Sequence, residues 1–171
     1  SVLDHKWLFA VAHPVYKAYC VAYMRLVQRL RGINPKKVVF SSFEGHQYSD
    51  NPRYISEKLH ALCPDCEIVW LFHKSCIGSV QVPDYVKKRL RSGWTGLYEQ
   101  ATARFWVDNF RHKEAVWLDD RNQFYIQTWH GDRGFKKVGY NLKVPGDEGR
   151  IEERCSRVVT GSTFGEGMFR T

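Results

Sequence analysis

Short runs rich in β-branched and aromatic residues recur along the chain, beginning near residues 38, 68, 105, 124 and 157, and helical patterns lie between most of them. Strands that alternate with helices cannot be joined by hairpins, so they pair in parallel through helical crossovers. This rhythm predicts an α/β fold with a parallel sheet and helices on both faces. Glu67 to His73 (EIVWLFH) is the clearest buried strand. Val38 to Phe40, Arg104 to Asn109, Phe124 to Trp129 and Arg157 to Gly161 read as the others, and Val86 to Arg91 fits either a strand or a helical turn.

Helices are expected over residues 14 to 31, from Asp50 or Asn51 (as N-cap before Pro52) to about Leu62, and over Leu97 to Ala103. Further helices are expected over residues 147 to 154 and from Ser162 or Thr163 onward. In the first helix Val15, Tyr19, Ala22, Tyr23, Leu26 and Leu30 share one face, with Lys17, Arg25, Gln28 and Arg31 opposite. That face fits an anionic membrane surface as well as it fits packing on the sheet.

At 171 residues the chain is about one domain long. Lys and Arg number 26 against 18 Asp and Glu, a formal charge of +8, which points to an anionic partner: a phosphate-rich substrate, a membrane surface or nucleic acid. No RNA- or DNA-binding motif accompanies the charge, so nucleic acid is not expected. The five cysteines are odd in number and irregular in spacing, which argues against a disulfide framework and for a reducing, cytoplasmic setting. Cys63-x-x-Cys66 is half a zinc site without a second pair at suitable spacing, so no metal is expected there. No apolar run is long enough to span a bilayer. The chain starts at Ser1 and stops at Thr171 within a helical pattern, and is expected to be a piece of a longer protein.

In a parallel sheet, ligands bind beyond the carboxyl ends of the strands. The loop after Phe124 to Trp129 offers His130, Gly131, Arg133, Lys136 and Lys137: an imidazole, a residue that permits close backbone approach, and three cations. An imidazole beside cations suits deprotonation of a hydroxyl that attacks a phosphate, with the cations balancing charge on the phosphoryl oxygens. The residues alone leave a catalytic and a structural histidine both open. The loop after the first strand, Ser41 to Asp50, lacks a P-loop pattern, but its Gly45 precedes a helix start able to cradle phosphate. Glu44 and Asp50 read as a carboxylate pair or as a loop acid and an N-cap.

Three blocks carry a resemblance: SSFEGHQYSDNPRYISEKL (Ser41 to Leu59), ATARFWVDNFR (Ala101 to Arg111) and YIQTWHGDRGFKKVGY (Tyr125 to Tyr140). Together, and in this order, they resemble the CDP-glycerol glycerophosphotransferase family, which builds the poly(glycerol phosphate) of wall teichoic acid or its primer. The resemblance runs from about residue 36 to the end. It implies a bacterial transferase of two Rossmann-like halves in a GT-B arrangement, of which this chain is the N-terminal, acceptor-side half. Residues 35–171 would form that half, residues 1–34 an amphipathic, membrane-associating helical segment, and the nucleotide-binding half would be absent. The family's general-base histidine falls on His130, and its glycine loop and Asp-Asn-Pro fall on Gly45, Asp50, Asn51 and Pro52. Gly131, Arg133, Lys136 and Lys137 would complete the substrate contacts, although many members have Thr-Pro where this chain has Asp132-Arg133-Gly134. Implied partners are CDP-glycerol, a lipid-linked polyol-phosphate acceptor and the anionic inner face of the cell membrane, with no cofactor. The alternative is a non-catalytic basic module that binds an anionic polymer or membrane.

Overall fold

Six strands join through five parallel ladders in the order β3-β2-β1-β4-β5-β6. They are β1 (Asn34–Ser41), β2 (Glu67–Phe72), β3 (Val86–Leu90), β4 (Ala103–Asp108), β5 (Phe124–Gln127) and β6 (Arg157–Val158). Among the described residues the α-helices are α1 (Val2–Arg31), α2 (Asp50–Leu62) and α3 (Gly93–Thr102). The computed structural model describes residues 2–110, 119, 121–130 and 155–159, with side chains of α1 described from Pro14 onward. The expected helices over 147–154 and beyond 162 lie outside the described residues.

The chain winds outward from β1 to β3, then returns to place β4 on the other side of β1, which is the doubly wound arrangement. Period-2 alternation sends successive side chains to opposite faces. Val39, Val69, Leu71, Ala103, Trp106 and Tyr125 pack under α1 and α3, against Cys20, Met24, Val27, Leu97 and Ala101. Val38, Phe40, Ile68, Trp70, Phe72 and Val107 form the second core, which Tyr48 and, from α2, Leu59 help to cover. Both faces of the central strands are buried, which is why Glu67–Phe72 reads as a continuous apolar run. The ambiguous segment at residue 86 is a strand, paired along its length with β2.

Two expectations about the helices are corrected. Helix α1 starts at Val2 rather than near residue 14, and it buries a different face: Cys20, Met24 and Val27 are in the core, whereas Val15, Tyr19, Leu26 and Leu30 are exposed. The buried set follows i, i+4, i+7 spacing, a stripe one helical position away from the one chosen for its larger residues. Tyr19 and Tyr23 instead set their rings edge-on to Trp94 of α3, at centroid distances of 5.0 and 4.6 Å. The second correction concerns α2, where Ser49 is the N-cap, without a side-chain cap bond, and Asp50 and Asn51 lie inside the helix.

Two polar networks lie inside this fold. Gln28 of α1 donates to the Ala101 carbonyl and to Gln123 Oε1, both at 3.0 Å, and Gln123 donates to the carbonyls of Gln100 and Ala103. Lys37, inside β1 and buried, pairs with the buried Glu99 of α3 and donates to Thr102 Oγ1. Lys87 and Arg89 of β3 reach the same carboxylate. Burial alone lifts the Glu99 carboxyl, but Lys37, with Lys87 and Arg89, outweighs it and holds the group below the usual glutamate range.

Candidate functional site

The carboxyl ends of β1, β4 and β5 converge where the strand order reverses, and three loops meet there. The first follows β1. Ser42 leads into a 3-10 turn over Phe43–Gly45, and Gly45 lies against the end of β2, where its carbonyl accepts the His73 amide at 2.9 Å. Its φ is +83°, and a Cβ here would sit 2.8 Å from His73 N and 2.9 Å from the Leu71 carbonyl oxygen. Glycine is required on both counts, conformation and space.

The second loop begins at Asn109, which is fully buried after β4. Its side chain receives the Phe43 amide at 2.9 Å and donates to Asp50 Oδ2 at 2.6 Å. Its carbonyl accepts from His130 Nδ1 at 2.7 Å. One residue therefore ties together the loop after β1, the start of α2 and the histidine after β5. Asp50 is thereby engaged with Asn109, not capping α2.

The third loop follows β5, which ends at Gln127 rather than Trp129. Thr128 N donates to the Asp108 carbonyl at 2.8 Å, and Trp129 N to Gln127 Oε1 at 2.9 Å. Asn51 Nδ2 reaches the carbonyls of Thr128 and Trp129, each at 3.4 Å. His130 then stands at the carboxyl end of the sheet, exposed, with its ring stacked on Phe110 (5.1 Å) and flanked by Phe43 (5.6 Å) and Trp129 (4.8 Å).

A carbonyl can only accept, so the His130–Asn109 bond requires a proton on Nδ1. In the neutral ring, Nε2 then carries the lone pair. The arrangement is an oriented, solvent-facing proton acceptor whose ring plane is fixed by aromatic contacts. The non-glycine residues with positive φ among the described residues are Phe43, Glu44, Asp50 and Trp129, and all four border this site. Backbone strain of this kind persists where surrounding contacts over-determine it, and it clusters at functional sites.

Of the residues expected from sequence, the fold brings Gly45, Asp50, Asn51 and His130 to one end of the sheet. Gly131, Arg133, Lys136 and Lys137 lie outside the described residues. Asn109 was missed, although it stands in the block ATARFWVDNFR; an amide at the end of an apolar strand is the one signal that marked it. Away from this end, Cys63, Asp65 and Cys66 bring three donor atoms within 4.8 Å of one another. The Cys63 thiol donates to the Asp65 carboxylate, which pushes it up to about 12, and the Lys36 ammonium pairs with the same carboxylate.

The chain matches the model of the family described as CDP-Glycerol:Poly(glycerophosphate) glycerophosphotransferase over residues 22–164. It is 35% identical over 120 residues to a teichoic acid poly(glycerol phosphate) polymerase of Staphylococcus epidermidis, covering 70% of this chain and 16% of that protein. It is 33% identical over 149 residues to the polymerase of the same name from Bacillus spizizenii, covering 83% of this chain and 36% of the relative. In three dimensions it resembles the solved structure of the wall teichoic acid polymerase TagF, with a TM-score of 0.72 and 25% identity over 99% of this chain and 42% of that one. The chain thus spans well under half the length of these relatives.

Proposed function

Because the chain belongs to the CDP-glycerol:poly(glycerophosphate) glycerophosphotransferase family, we propose that it is the acceptor-side half of an enzyme transferring glycerol phosphate from CDP-glycerol to a lipid-linked teichoic-acid acceptor. In this reading His130 Nε2 takes the proton from the terminal hydroxyl of the acceptor. The freed oxygen attacks the β-phosphorus of CDP-glycerol, the bond from that phosphorus to the bridging oxygen breaks, and CMP leaves. Gly131, Arg133, Lys136 and Lys137 contact the phosphates, and Asn51, with Gly45 and Asp50, shapes the acceptor's approach. The single observation that carries the assignment is the bond from Nδ1 to the Asn109 carbonyl, which leaves Nε2 as the acceptor on the exposed side of the ring.

The segment 1–34 would hold the enzyme against the anionic inner face of the cell membrane. Supporting this are the exposed Val15, Tyr16, Tyr19, Leu26 and Leu30 on α1, with Lys17 and Arg31 on the same helix. No helix among the described residues is long and apolar enough to cross a membrane.

The test is His130→Ala in the full-length enzyme. Loss of a general base typically lowers the rate by about 10²–10⁴, while CDP-glycerol affinity, if it resides in the other half, stays within about twofold. Near-normal CMP release by the folded variant would show that His130 is structural.

A further inference from the structure

Helix α2 gives way to Cys63-Pro64-Asp65-Cys66, which turns the chain toward β2. Cys63 is the C-cap, its amide donating to the Leu59 carbonyl at 2.8 Å, and the Cys66 amide donates to the Cys63 carbonyl at 3.0 Å. That second bond closes a β-turn, with proline at the position whose φ it presets and aspartate after it. A closed turn keeps its end Cα atoms within about 7 Å, the reach of a disulfide. The side chains converge as well. The Cys66 thiol donates to Cys63 Sγ at 2.9 Å, and the Cys63 thiol donates to Asp65 Oδ1 at 2.9 Å. Both thiols are free and half-buried, within reach of a small reagent.

We propose that Cys63 and Cys66 are a reversible modification site, which a low-molecular-weight disulfide oxidises to a disulfide across the turn. One thiolate attacks a sulfur of the oxidant and releases a first thiol; the other attacks the mixed disulfide and releases a second. The protein gives up two electrons and two protons, the S–S bond of the oxidant breaks and takes up both, and one S–S bond forms in the protein. That bond closes a loop of four residues, so it restrains the unfolded chain little, and its use is chemical rather than structural. It differs in this from the framework that the cysteine count argues against; exposed local disulfides are the labile kind. Asp65 sets the resting state. Its carboxylate bonds the Cys63 thiol and has no such bond to make with a disulfide sulfur, so it favours the reduced pair, and this bond is the largest cause of the upward shift of Cys63. The carboxylate is in turn held by the Lys36 ammonium, a cation where a metal ion would have to approach. The pair lies at the amino end of β2, whereas His130 lies beyond the carboxyl end of β5, and the proposal uses neither that histidine nor the transferase reaction.

The experiment equilibrates the full-length protein with glutathione and glutathione disulfide at varied ratios, folded and in concentrated urea. Samples are quenched in acid, alkylated differentially and mapped by peptide mass spectrometry. A peptide linking Cys63 to Cys66, lighter by two hydrogens and restored by dithiothreitol, is expected. Its exchange constant should be at least about tenfold larger in the folded protein, because the turn holds the sulfurs together. Cys63→Ser and Cys66→Ser should each stop at a mixed disulfide with glutathione. Asp65→Asn, checked for folding by circular dichroism, should reach its midpoint at a glutathione disulfide level about threefold lower. Equal constants in folded and unfolded protein, pairing of either cysteine with a different one, or stoichiometric zinc that protects the pair from glutathione disulfide overturns the inference, and an unchanged midpoint in Asp65→Asn overturns the part assigned to the carboxylate.

Discussion

Gly45 and Gly93 have nearly the same backbone conformation, with φ of +83° and +82°, and differ in what surrounds them. A Cβ at Gly93 meets nothing within 4 Å, whereas at Gly45 it lands 2.8 to 3.1 Å from backbone atoms of Leu71, Phe72 and His73. Alanine at Gly93 therefore measures left-handed strain alone, about 1–2 kcal/mol, reduced by the lower entropy of the unfolded chain, about 0.4–1 kcal/mol. Alanine at Gly45 adds overpacking against a buried strand that cannot rotate away, about 1–3 kcal/mol more. The expected excess of Gly45→Ala over Gly93→Ala is about 1–3 kcal/mol, or roughly 0.5–1.5 M in the urea midpoint at a slope near 2 kcal/mol/M. Gly32→Ala, at φ +71° in open space, should behave like Gly93→Ala. Equal midpoints for Gly45→Ala and Gly93→Ala would show that the end of β2 yields, and that close approach does not hold the loop after β1 in place.

Met24→Ala should cost about 2–5 kcal/mol and Leu30→Ala under about 0.5 kcal/mol in the same unfolding assay; the reverse order would restore the face of α1 expected from sequence. Glu99 is held below its ordinary range in the folded protein, so its contribution is present above about pH 4.3, the unfolded value, and is lost as pH falls through the folded one. Urea midpoints from pH 7 to pH 3 should therefore fall more steeply for the parent protein than for Glu99→Gln, and parallel curves would contradict this. Lys37→Met strands the buried carboxylate with its two half-exposed partners and should cost about 3 kcal/mol at pH 7; a neutral effect would mean that Lys87 and Arg89 suffice.

Strands β1, β2, β4 and β5 were legible because each holds a short, largely apolar run, whereas β3, with Lys87, Lys88 and Arg89 at its centre, carries no apolar run to tell a strand from a helical turn. The buried face of α1 was not, since its 3.6-residue period admits more than one apolar stripe and tyrosines made the wrong one look heavier. Lys37 looked like a polar flank to β1. Its burial depends on Glu99, 62 residues away, and no local pattern carries such a pairing. His130 was found from its place after a strand and from the resemblance. Asn109 was not, because its role exists only once residues 43, 50, 109 and 130 meet; nothing in its immediate neighbourhood distinguishes a buried amide that joins three loops from one that ends a strand.

The all-parallel ladder order also bears on how the chain reaches this state during synthesis. Val38 of the central strand pairs with Ile68 on one side and with Phe105 on the other, 30 and 67 residues further along. No hairpin can close either ladder early, and non-local pairings of this kind fold slowly. Until β4 has left the ribosome, Val38, Val39 and Phe40 have one unpaired edge, a template for other nascent chains. A lower expression level should then shift newly made protein from aggregate to soluble fraction, because pairing between chains falls with their concentration and the strand that must wait longest for its second neighbour is also the one that holds the sheet together.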